Sequence, residues 1–398
     1  MKIIRTSTIG LSLNIFCKGL FKELATDGFD IMAISSPDTD LEEVERREGI
    51  KTIGVAMERK ISPIKDIKSL VLLIKVIRKE KPDMVHSITP KAGLLSMIAA
   101  KIAKVPVRVH TFTGLIFPTS SGLKRKLLMA TDRMTCRCAT HVMAEGTGIR
   151  TDLVNNGITN KDITVLGYGN LRGIDLNYYC RTPDVITNAE QLRDKLLGNS
   201  ETRDLIHDTP GYLPFVFVFI GRFVADKGID MLIQAFSILR HEGKNIKLIM
   251  AGDFEEDDPL KPETLTYMKN SKDILISPGW IKDIRPYLAA ADALVFPSRR
   301  EGFPNVVLEA GALGLPAIVT DINGSREIIT DELNGRIVPP DNKDALIKAM
   351  RDFVDKQDKT NRMASHARQI IEDRYEQSFV RNNLKRCYLE LLSGNNYS

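Results

Sequence analysis

The stretch from Ala289 to Glu327, AAADALVFPSRREGFPNVVLEAGALGLPAIVTDINGSRE, decides the fold of this chain. It begins with an apolar strand, Ala293 to Phe296, and passes through a polar turn carrying Glu301 into a helix that carries Glu309. Pro304 favours a helix start there, because its missing N–H is one that a first turn leaves unpaired anyway. A strand that leads directly into a helix is typical of a parallel α/β sheet.

The start of this helix also suggests chemistry. The N–H groups of Asn305, Val306 and Val307 have no intrahelical partners, and such a terminus favours phosphate. A phosphate would repel Glu301 and Glu309, so both acids are better suited to accept hydrogen bonds from hydroxyls, one from each end of a sugar nucleotide. The residues alone leave a second interpretation open, in which Glu301 is solvated and Glu309 only supports the helix.

Length and composition indicate a soluble globular protein of two or three domains. The chain has 398 residues, of which 43% are hydrophobic and 27% are charged. No run approaches the ~18 apolar residues of a membrane span, and the start, MKIIRTSTIG, predicts a first strand rather than a signal peptide. The five cysteines are odd in number and scattered, which favours reduced thiols in a cytoplasmic protein over a disulfide framework or a zinc site.

Charge is distributed unevenly along the chain. Residues 1–180 contain 27 Lys and Arg against 18 Asp and Glu, a net charge of +9, whereas the remainder carries −4. Two stretches concentrate the positive charge, Arg59 to Lys81 and Gly122 to Arg137, and both alternate basic with apolar residues. Such a surface suits an anionic membrane leaflet, here the inner face of the cytoplasmic membrane, or a diphosphate-bearing acceptor. Solvated helices packed on a sheet would have the same pattern.

Short β-branched runs alternate with helical patterns along the whole chain, in two series separated by a polar, proline-broken segment. This predicts an α/β protein with two Rossmann-like, doubly wound domains facing each other across a cleft. We expect an N-terminal domain at 1–180, a linker at 181–214 and a second domain at 215–370. The C-terminal helix at 371–398 could pack back on the N-terminal domain.

The turn after the first strand of the second series supplies cations. It reads GRFVADKG from Gly221 to Gly228, in which Gly221 allows a close backbone turn while Arg222 and Lys227 are natural partners for a diphosphate. A solvated charged loop would look similar. Together with the helix start at Pro304, the turn predicts a site for a leaving nucleoside diphosphate.

Several of these motifs resemble glycosyltransferase family 4, whose members are retaining enzymes with the GT-B fold. The resemblance rests on GRxxxxKG from Gly221, GD at Gly252, GWIKD from Gly279, and SRREGFPNVVLEAGALGLPAIVTD from Ser298 to Asp321. HSITPKAG from His86 and VHTFTG from Val109 resemble the branch that extends polyprenyl-diphosphate-linked sugars of capsule, O-antigen or protein glycans. The match covers nearly the whole chain.

The resemblance implies roles for individual residues. Arg222 and Lys227 match the basic pair that binds the donor diphosphate, Glu309 the acid that binds the ribose hydroxyls, and Glu301 the acid beside the transferred sugar. His110 matches the active-site histidine that faces that sugar. The further positions implied to bind the nucleotide sugar, most simply a UDP-sugar, are Gly221, Ile281, Phe303, Pro304, Asn305 and Val306.

The acceptor side is less well defined by the resemblance. Many family members have a Gly-Gly turn after the first strand, whereas this chain has Ser7-Thr8-Ile9-Gly10 followed by Ser12. The candidates there are Gly10, Ser12, His86 and Lys91. The expected reaction transfers a sugar to a hydroxyl of a lipid-linked glycan with retention, without a metal ion or other cofactor and without a nucleic-acid partner.

Two other functions remain open at this point. A GT-B UDP-sugar 2-epimerase would use the same donor without an acceptor, and a non-catalytic subunit would bind the sugar nucleotide without consuming it. The acidic run Glu255 to Asp258 could suggest a DxD metal site, but its position in a proline-rich loop favours a solvated surface. An NAD dehydrogenase is disfavoured, because no first strand leads into GxGxxG.

Overall fold

The computed structural model describes residues 1–59, 62–197, 213–255 and 258–394. The chain divides into two compact units, one formed by Met1–Gly173 with the C-terminal segment that starts at Gln377, the other by Ile174–Glu376. Each unit has a parallel sheet of its own.

The first unit is built on a seven-stranded parallel sheet. Its strands are β1 (Lys2–Thr6), β2 (Asp30–Ser35), β3 (Lys51–Gly54), β4 (Met84–Ile88), β5 (Val107–Phe112), β6 (His141–Ala144) and β7 (Ile163–Thr164). They lie in the order β3-β2-β1-β4-β5-β6-β7, so the order reverses beside β1, as in doubly wound folds. The central strands are buried along their length because helices cover both faces.

The helices of this unit alternate with its strands. They are α1 (Gly10–Phe16), α2 (Leu20–Thr26), α3 (Thr39–Glu48), α4 (Pro63–Glu80), α5 (Pro90–Ile102), α6 (Gly122–Cys138) and α7 (Thr147–Asn155). Local chemistry sets their ends: Asp38 caps α3 by accepting a hydrogen bond from the N–H of Leu41, and Gly49 ends that helix at φ 67°. On one face of the sheet, α5 packs between α4 and α6.

The second unit repeats the design with six parallel strands. They are β8 (Phe215–Ile220), β9 (Ile246–Gly252), β10 (Ile274–Pro278), β11 (Ala293–Phe296), β12 (Ala317–Thr320) and β13 (Gly335–Val338). The order is β10-β9-β8-β11-β12-β13. All six residues of β8, FVFVFI, are buried, since a central strand covered on both faces is apolar without alternation.

Eight helices accompany this sheet among the described residues. They are α8 (Pro183–Leu197), α9 (Ile229–His241), α10 (Pro262–Asn270), α11 (Arg285–Ala289), α12 (Asn305–Ala312), α13 (Ser325–Ile328), α14 (Lys343–Asp355) and α15 (Gln357–Tyr375). The predicted strand and helix of the opening stretch are therefore β11 and α12, and Pro304 occupies the N-cap position rather than the first helical position.

The division between the units differs from the predicted domain limits. The first unit ends at Gly173, not at 180, and the segment predicted as a linker contains α8, which belongs to the second unit. Ala189 and Leu196 of this helix join the apolar core of that unit, so the segment is held by packing that its polar composition did not reveal. Residues 198–212 of the predicted linker lie outside the described residues.

The C-terminal segment forms two helices rather than one. The first, α15, stays with the second unit, and the chain leaves the helical conformation at Glu376, where φ is −56° and ψ is 138°. The second, α16 (Gln377–Leu392), belongs to the first unit. Leu384, Cys387, Tyr388 and Leu391 bury its apolar side in the core of that unit.

No helix within the described ranges combines the length and apolar character needed to cross a membrane.

Candidate active site

The carboxyl ends of β8 and β11, neighbouring strands of the second sheet, bring Lys227 and Glu301 together. The Lys227 ammonium donates to Oε1 of Glu301, and the Ser298 hydroxyl donates to the same oxygen over 2.7 Å. The two charged side chains are only 14% and 15% exposed, so this pair is far less screened than a surface ion pair. The Lys227 ammonium also lies 5.4 Å from the ring centroid of Phe296.

Glycines allow the loops of this site to approach each other. Gly228 has φ 72°, and a Cβ there would lie 2.0 Å from the carbonyl oxygen of Pro297. Gly324, at φ 73°, would place a Cβ 2.5 Å from the carbonyl oxygen of Gly302. The loop carrying Lys227 and the turn carrying Glu301 are therefore held by backbone packing that only glycine permits.

Arg222 and Gly221 occupy the tip of the same region. The N–H of Gly221 donates to the carbonyl of Ala251 over 3.0 Å, which fixes the turn after β8. The Arg222 side chain is half exposed, and its guanidinium donates to Glu255 over 2.6 Å. Glu255, expected to be solvated, is thus the ion-pair partner of Arg222; residues 256 and 257 of that acidic run are outside the described part of the chain.

Glu309 lies inside the second unit, in the second turn of α12. It is 6% exposed, and its Oε1 accepts a hydrogen bond from the Tyr179 hydroxyl over 2.7 Å. A buried carboxylate with a directed donor differs from a solvated helix-supporting acid. No pattern in the sequence points to Tyr179, because it precedes α8 in a segment without a motif.

The helix start after β11 is formed as predicted. Phe303 is buried with its ring against that of Tyr375, at a centroid distance of 5.6 Å, and this anchors the turn. Pro304 caps the helix in an extended conformation, and half-buried Asn305 and Val306 open it. Ile281, in the loop between β10 and α11, packs partly buried against the core of the same unit.

His110 lies in β5 of the first unit and is almost completely buried. Its Nδ1 is 2.8 Å from the Ser87 hydroxyl, and its ring meets the Phe112 ring edge-on at 4.5 Å. Burial lowers the pKa of His110 from 6.5 to about 3, so the ring is neutral at physiological pH. It can therefore donate or accept one hydrogen bond without introducing a charge.

This burial predicts how stability depends on pH. Below about pH 6.5 the His110 ring is protonated in the unfolded chain, whereas in the folded chain it stays neutral down to about pH 3. The free energy of unfolding therefore falls as the pH falls through that window. We expect His110→Gln to flatten the pH dependence between about pH 6.5 and 4 in chemical unfolding. Exposed His366→Gln is the control. An unchanged slope in His110→Gln would contradict the prediction.

His86 is not available to an acceptor, contrary to the prediction. It is completely buried in β4: its Nδ1 lies 2.6 Å from the Tyr388 hydroxyl and 3.1 Å from Nη1 of Arg5, and its Nε2 lies 2.7 Å from the Thr111 hydroxyl. Side chains alternate along a strand, so His86 and its neighbour Ser87 face opposite sides of the sheet. The motif HSITPKAG points to the correct strand end, and Ser87 is the residue that meets His110.

The other acceptor-side candidates lie near the ends of β1 and β4. Gly10 opens α1, and its N–H donates to Asp38 over 2.9 Å; a Cβ at this position would clash with the same carboxylate. Ser12 is half-buried in that helix. Lys91, in the first turn of α5, is bound to Asp66 at 2.8 Å. No structural feature assigns an acceptor to these three residues.

Across residues 1–59, 62–197, 213–255 and 258–394, no three His, Cys, Asp or Glu side chains are grouped so as to hold a metal ion.

Family models match both halves of the chain. Residues 14–169 match a glycosyl transferase 4-like domain, and residues 213–370 match the glycosyl transferases group 1 domain. The chain is 28% identical over 388 residues to the capsular polysaccharide biosynthesis glycosyltransferase CapM of Staphylococcus aureus, covering 97% of this chain and 96% of that protein.

A second relative is the UDP-Gal:alpha-D-GlcNAc-diphosphoundecaprenol alpha-1,3-galactosyltransferase of Escherichia coli. It is 31% identical over 338 residues, which cover 83% of this chain and 81% of that enzyme. Among solved structures, HepE of Anabaena in complex with UDP matches with a TM-score of 0.77 at 18% identity, covering 98% of this chain and 100% of that chain. The sucrose-phosphate synthase of Thermosynechococcus elongatus matches with a TM-score of 0.78 at 17% identity, covering 99% and 100%.

These matches agree with the two parallel sheets, and the matched range 213–370 contains the motifs at the ends of β8, β10 and β11. The structural matches, at such low identity, establish the fold as GT-B, and the domain models and relatives establish the enzyme class. The chain is a glycosyltransferase and belongs to glycosyltransferase family 4.

Proposed function

We propose that this enzyme transfers a sugar from a UDP-sugar to a hydroxyl of a polyprenyl-diphosphate-linked glycan, with retention of the anomeric configuration. The observation that carries the proposal is the shielded arrangement of Lys227, Glu301 and Ser298 beside the α12 start, with Glu309 buried behind it. This arrangement provides a cation that can bind the leaving diphosphate and two acids that can accept hydrogen bonds from the sugar and ribose hydroxyls.

The donor side is supported by charge and by the relatives. Lys227 and Arg222 are the cations that would meet the diphosphate, and each forms an ion pair with an acid, Glu301 and Glu255 respectively. The Escherichia coli relative is named for UDP-Gal, and the Anabaena structure contains UDP. These names favour uridine as the base and leave the sugar to be determined.

In the proposed reaction, the oxygen of an acceptor hydroxyl forms a bond to the anomeric carbon as the bond from that carbon to the diphosphate oxygen breaks. The acceptor proton passes to the departing diphosphate, and Lys227 offsets the charge that develops there. Glu301 is paired with Lys227, and Glu309 accepts a hydrogen bond from Tyr179, so neither is assigned as a covalent nucleophile. Attack on the face from which the diphosphate departs would retain configuration.

The acceptor class is supported by the same relatives. The Escherichia coli enzyme is named for a GlcNAc-diphosphoundecaprenol acceptor, and the Staphylococcus aureus protein for capsular polysaccharide biosynthesis. In this chain, the excess of positive charge in residues 1–180 suits a diphosphate-bearing lipid.

A panel of radiolabelled nucleotide sugars tests the proposal, each incubated with membrane extract that contains native lipid-linked acceptor. We expect label from one UDP-sugar to enter the lipid fraction, and NMR of the product to show the donor's anomeric configuration. EDTA should leave the rate unchanged, because Arg222 and Lys227, and not a metal ion, stabilise the departing diphosphate in the proposed reaction.

The alternatives give different results in the same assay. Conversion of the donor to an epimer without acceptor would indicate a 2-epimerase. Binding of UDP with no consumption of any donor, over the full panel of nucleotide sugars, would indicate a non-catalytic subunit. Either result, or an inverted product, would contradict the proposed reaction.

We further propose that the first unit docks on an anionic membrane surface through α4 and α6. Apolar side chains project into solvent on both helices, among them Ile64 at 77% and Leu123 at 84% exposure, with Ile67, Val71 and Leu127 beside them. Exposed lysines alternate with these residues: Lys65, Lys68, Lys75, Lys124 and Lys126. Residues 60 and 61 of the predicted basic stretch lie outside the described residues.

If this surface docks on the membrane, replacing its exposed apolar residues should weaken membrane binding. The double variant Ile64→Ser, Leu123→Ser removes two apolar side chains from the interface. Each of the two substitutions should weaken binding to vesicles of anionic phospholipid by roughly tenfold. Flotation of the full-length protein measures the bound fraction, and raised salt should reduce it for the unmodified protein. Ile186→Ser, an exposed change in α8, is the control. Equal flotation of all three proteins would contradict the docking surface.

A further inference from the structure

A row of polar side chains crosses the strand ends of the first sheet. Thr6 of β1 is in register with Ser87 of β4, which is in register with His110 of β5. Residues in register on parallel strands share a face, so the three side chains lie side by side. All are fully or almost fully buried, which makes each of their hydrogen bonds consequential.

Ser87 is the member of the row that holds the histidine. Its Oγ lies 2.8 Å from Nδ1 of His110, and its longer contact, to the carbonyl oxygen of Val109, is 3.5 Å. The Thr6 hydroxyl, by contrast, has no hydrogen-bond partner among the described residues. The row therefore contains one hydroxyl that acts on the ring and one of similar burial that does not.

Packing restricts the ring from two further directions. A Cβ on Gly93 would lie 2.3 Å from Cε1 of His110, so α5 rests its backbone directly against the imidazole. Phe112 meets the ring edge-on, at an interplanar angle of 84°. Rotation out of this plane would drive the imidazole into one of these neighbours, so packing holds the ring plane and the Ser87 hydrogen bond distinguishes the two ways of placing the ring within it.

The second ring nitrogen is the one left for substrate. Nδ1 of His110 is occupied by Ser87, whereas Nε2 has no hydrogen-bond partner in the described part of the chain. A substrate hydroxyl could reach the ring at this atom.

We propose that Ser87 is a positioning residue for the transfer reaction: its hydrogen bond to Nδ1 holds His110 in one orientation and one tautomer, so that Nε2 meets a substrate hydroxyl in a single protonation state. This rests on the proposed function, which supplies that hydroxyl. The position of the single ring proton decides whether Nε2 donates or accepts, and Ser87 keeps that choice uniform across the population.

The first test reads the ring without any reaction. With ¹⁵N-labelled histidine in the full chain, and His110→Gln to assign the signals, the two nitrogens of His110 should show a single neutral tautomer at pH 7. Ser87→Ala should shift these signals toward a mixture, while Thr6→Val, the matched loss of an unpartnered hydroxyl, should leave them in place. Unchanged signals in Ser87→Ala would overturn the proposal.

The second test measures transfer. Ser87→Ala should lower kcat about tenfold, the effect of losing one ordinary hydrogen bond, with little change in KM for the donor. In a His110→Ala background the same change should have no further effect, because Ser87 acts only through the ring. Thr6→Val should transfer at the rate of the unmodified protein.

The outcomes separate this inference from the proposed function. Suppose that Ser87→Ala shifts the tautomer signals but the unmodified protein transfers no sugar. That result would support the hydrogen bond between Ser87 and His110 and reject the proposed reaction. The unmodified protein could instead be fully active, with Ser87→Ala lowering kcat tenfold both alone and in the His110→Ala background. That result would support the reaction and reject the positioning role.

Discussion

Replacing Lys227 with alanine is expected to lower kcat for sugar transfer by about 10²- to 10³-fold, the range found when a single group that stabilises developing charge is removed. The Lys227 ammonium is largely shielded from solvent, so its interaction with a departing diphosphate is weakly screened. The rate should be measured at saturating donor, with the unfolding transition recorded in parallel to show that the variant folds.

Lys244→Ala provides the matched control. Lys244 belongs to the same unit and forms an ion pair with Asp355 at 2.6 Å, with no contact to the candidate site. Its removal should leave the rate unchanged. A Lys227→Ala enzyme that turns over at a near-normal rate would remove Lys227 from the leaving-group role.

Replacing Glu309 with glutamine is expected to weaken UDP binding about 10- to 100-fold, since hydrogen bonds to a charged acceptor are the stronger class. The change keeps the shape of the side chain and removes the charge that would receive ribose hydroxyls. Calorimetry measures the affinity, and fluorescence of Trp280 provides a second readout. This is the single tryptophan of the chain, 76% exposed beside Ile281.

Two companion variants sharpen this prediction. Tyr179→Phe removes the hydroxyl that donates to Glu309, and its effect should be several-fold smaller, because the carboxylate remains. Glu242→Gln, which breaks an ion pair with Arg351 in the same unit, should bind UDP normally. Normal affinity in Glu309→Gln would contradict the ribose role.

The two sheets could be predicted because their strands are short, apolar and separated by helical patterns. β8 and β11 are located by composition alone, since a short run of apolar residues such as FVFVFI is stable only as a buried strand. The turn at Glu301 and the cations of GRFVADKG follow from their positions directly after such strands. The family motifs then supplied the roles that spacing left undecided.

The unit boundaries were not predictable in the same way. Pro183–Leu197 is polar enough to be read as a linker, yet a few apolar residues on one side suffice to bury it against the second core. The break at Glu376 has no Gly or Pro to mark it, so one long helical pattern concealed two helices that belong to different units.

The sequence by itself determined the fold class, the strand ends of the candidate site and the residue types present there, because these depend on local pattern and on order along the chain. Only the tertiary structure decided which side chains meet. It paired Lys227 with Glu301 and Tyr179 with Glu309, it placed Ser87 beside His110, and it buried His86 on the opposite face of the sheet. The reason is physical: neighbours in a strand face opposite sides of a sheet, and contact partners come from strands and loops far apart in sequence.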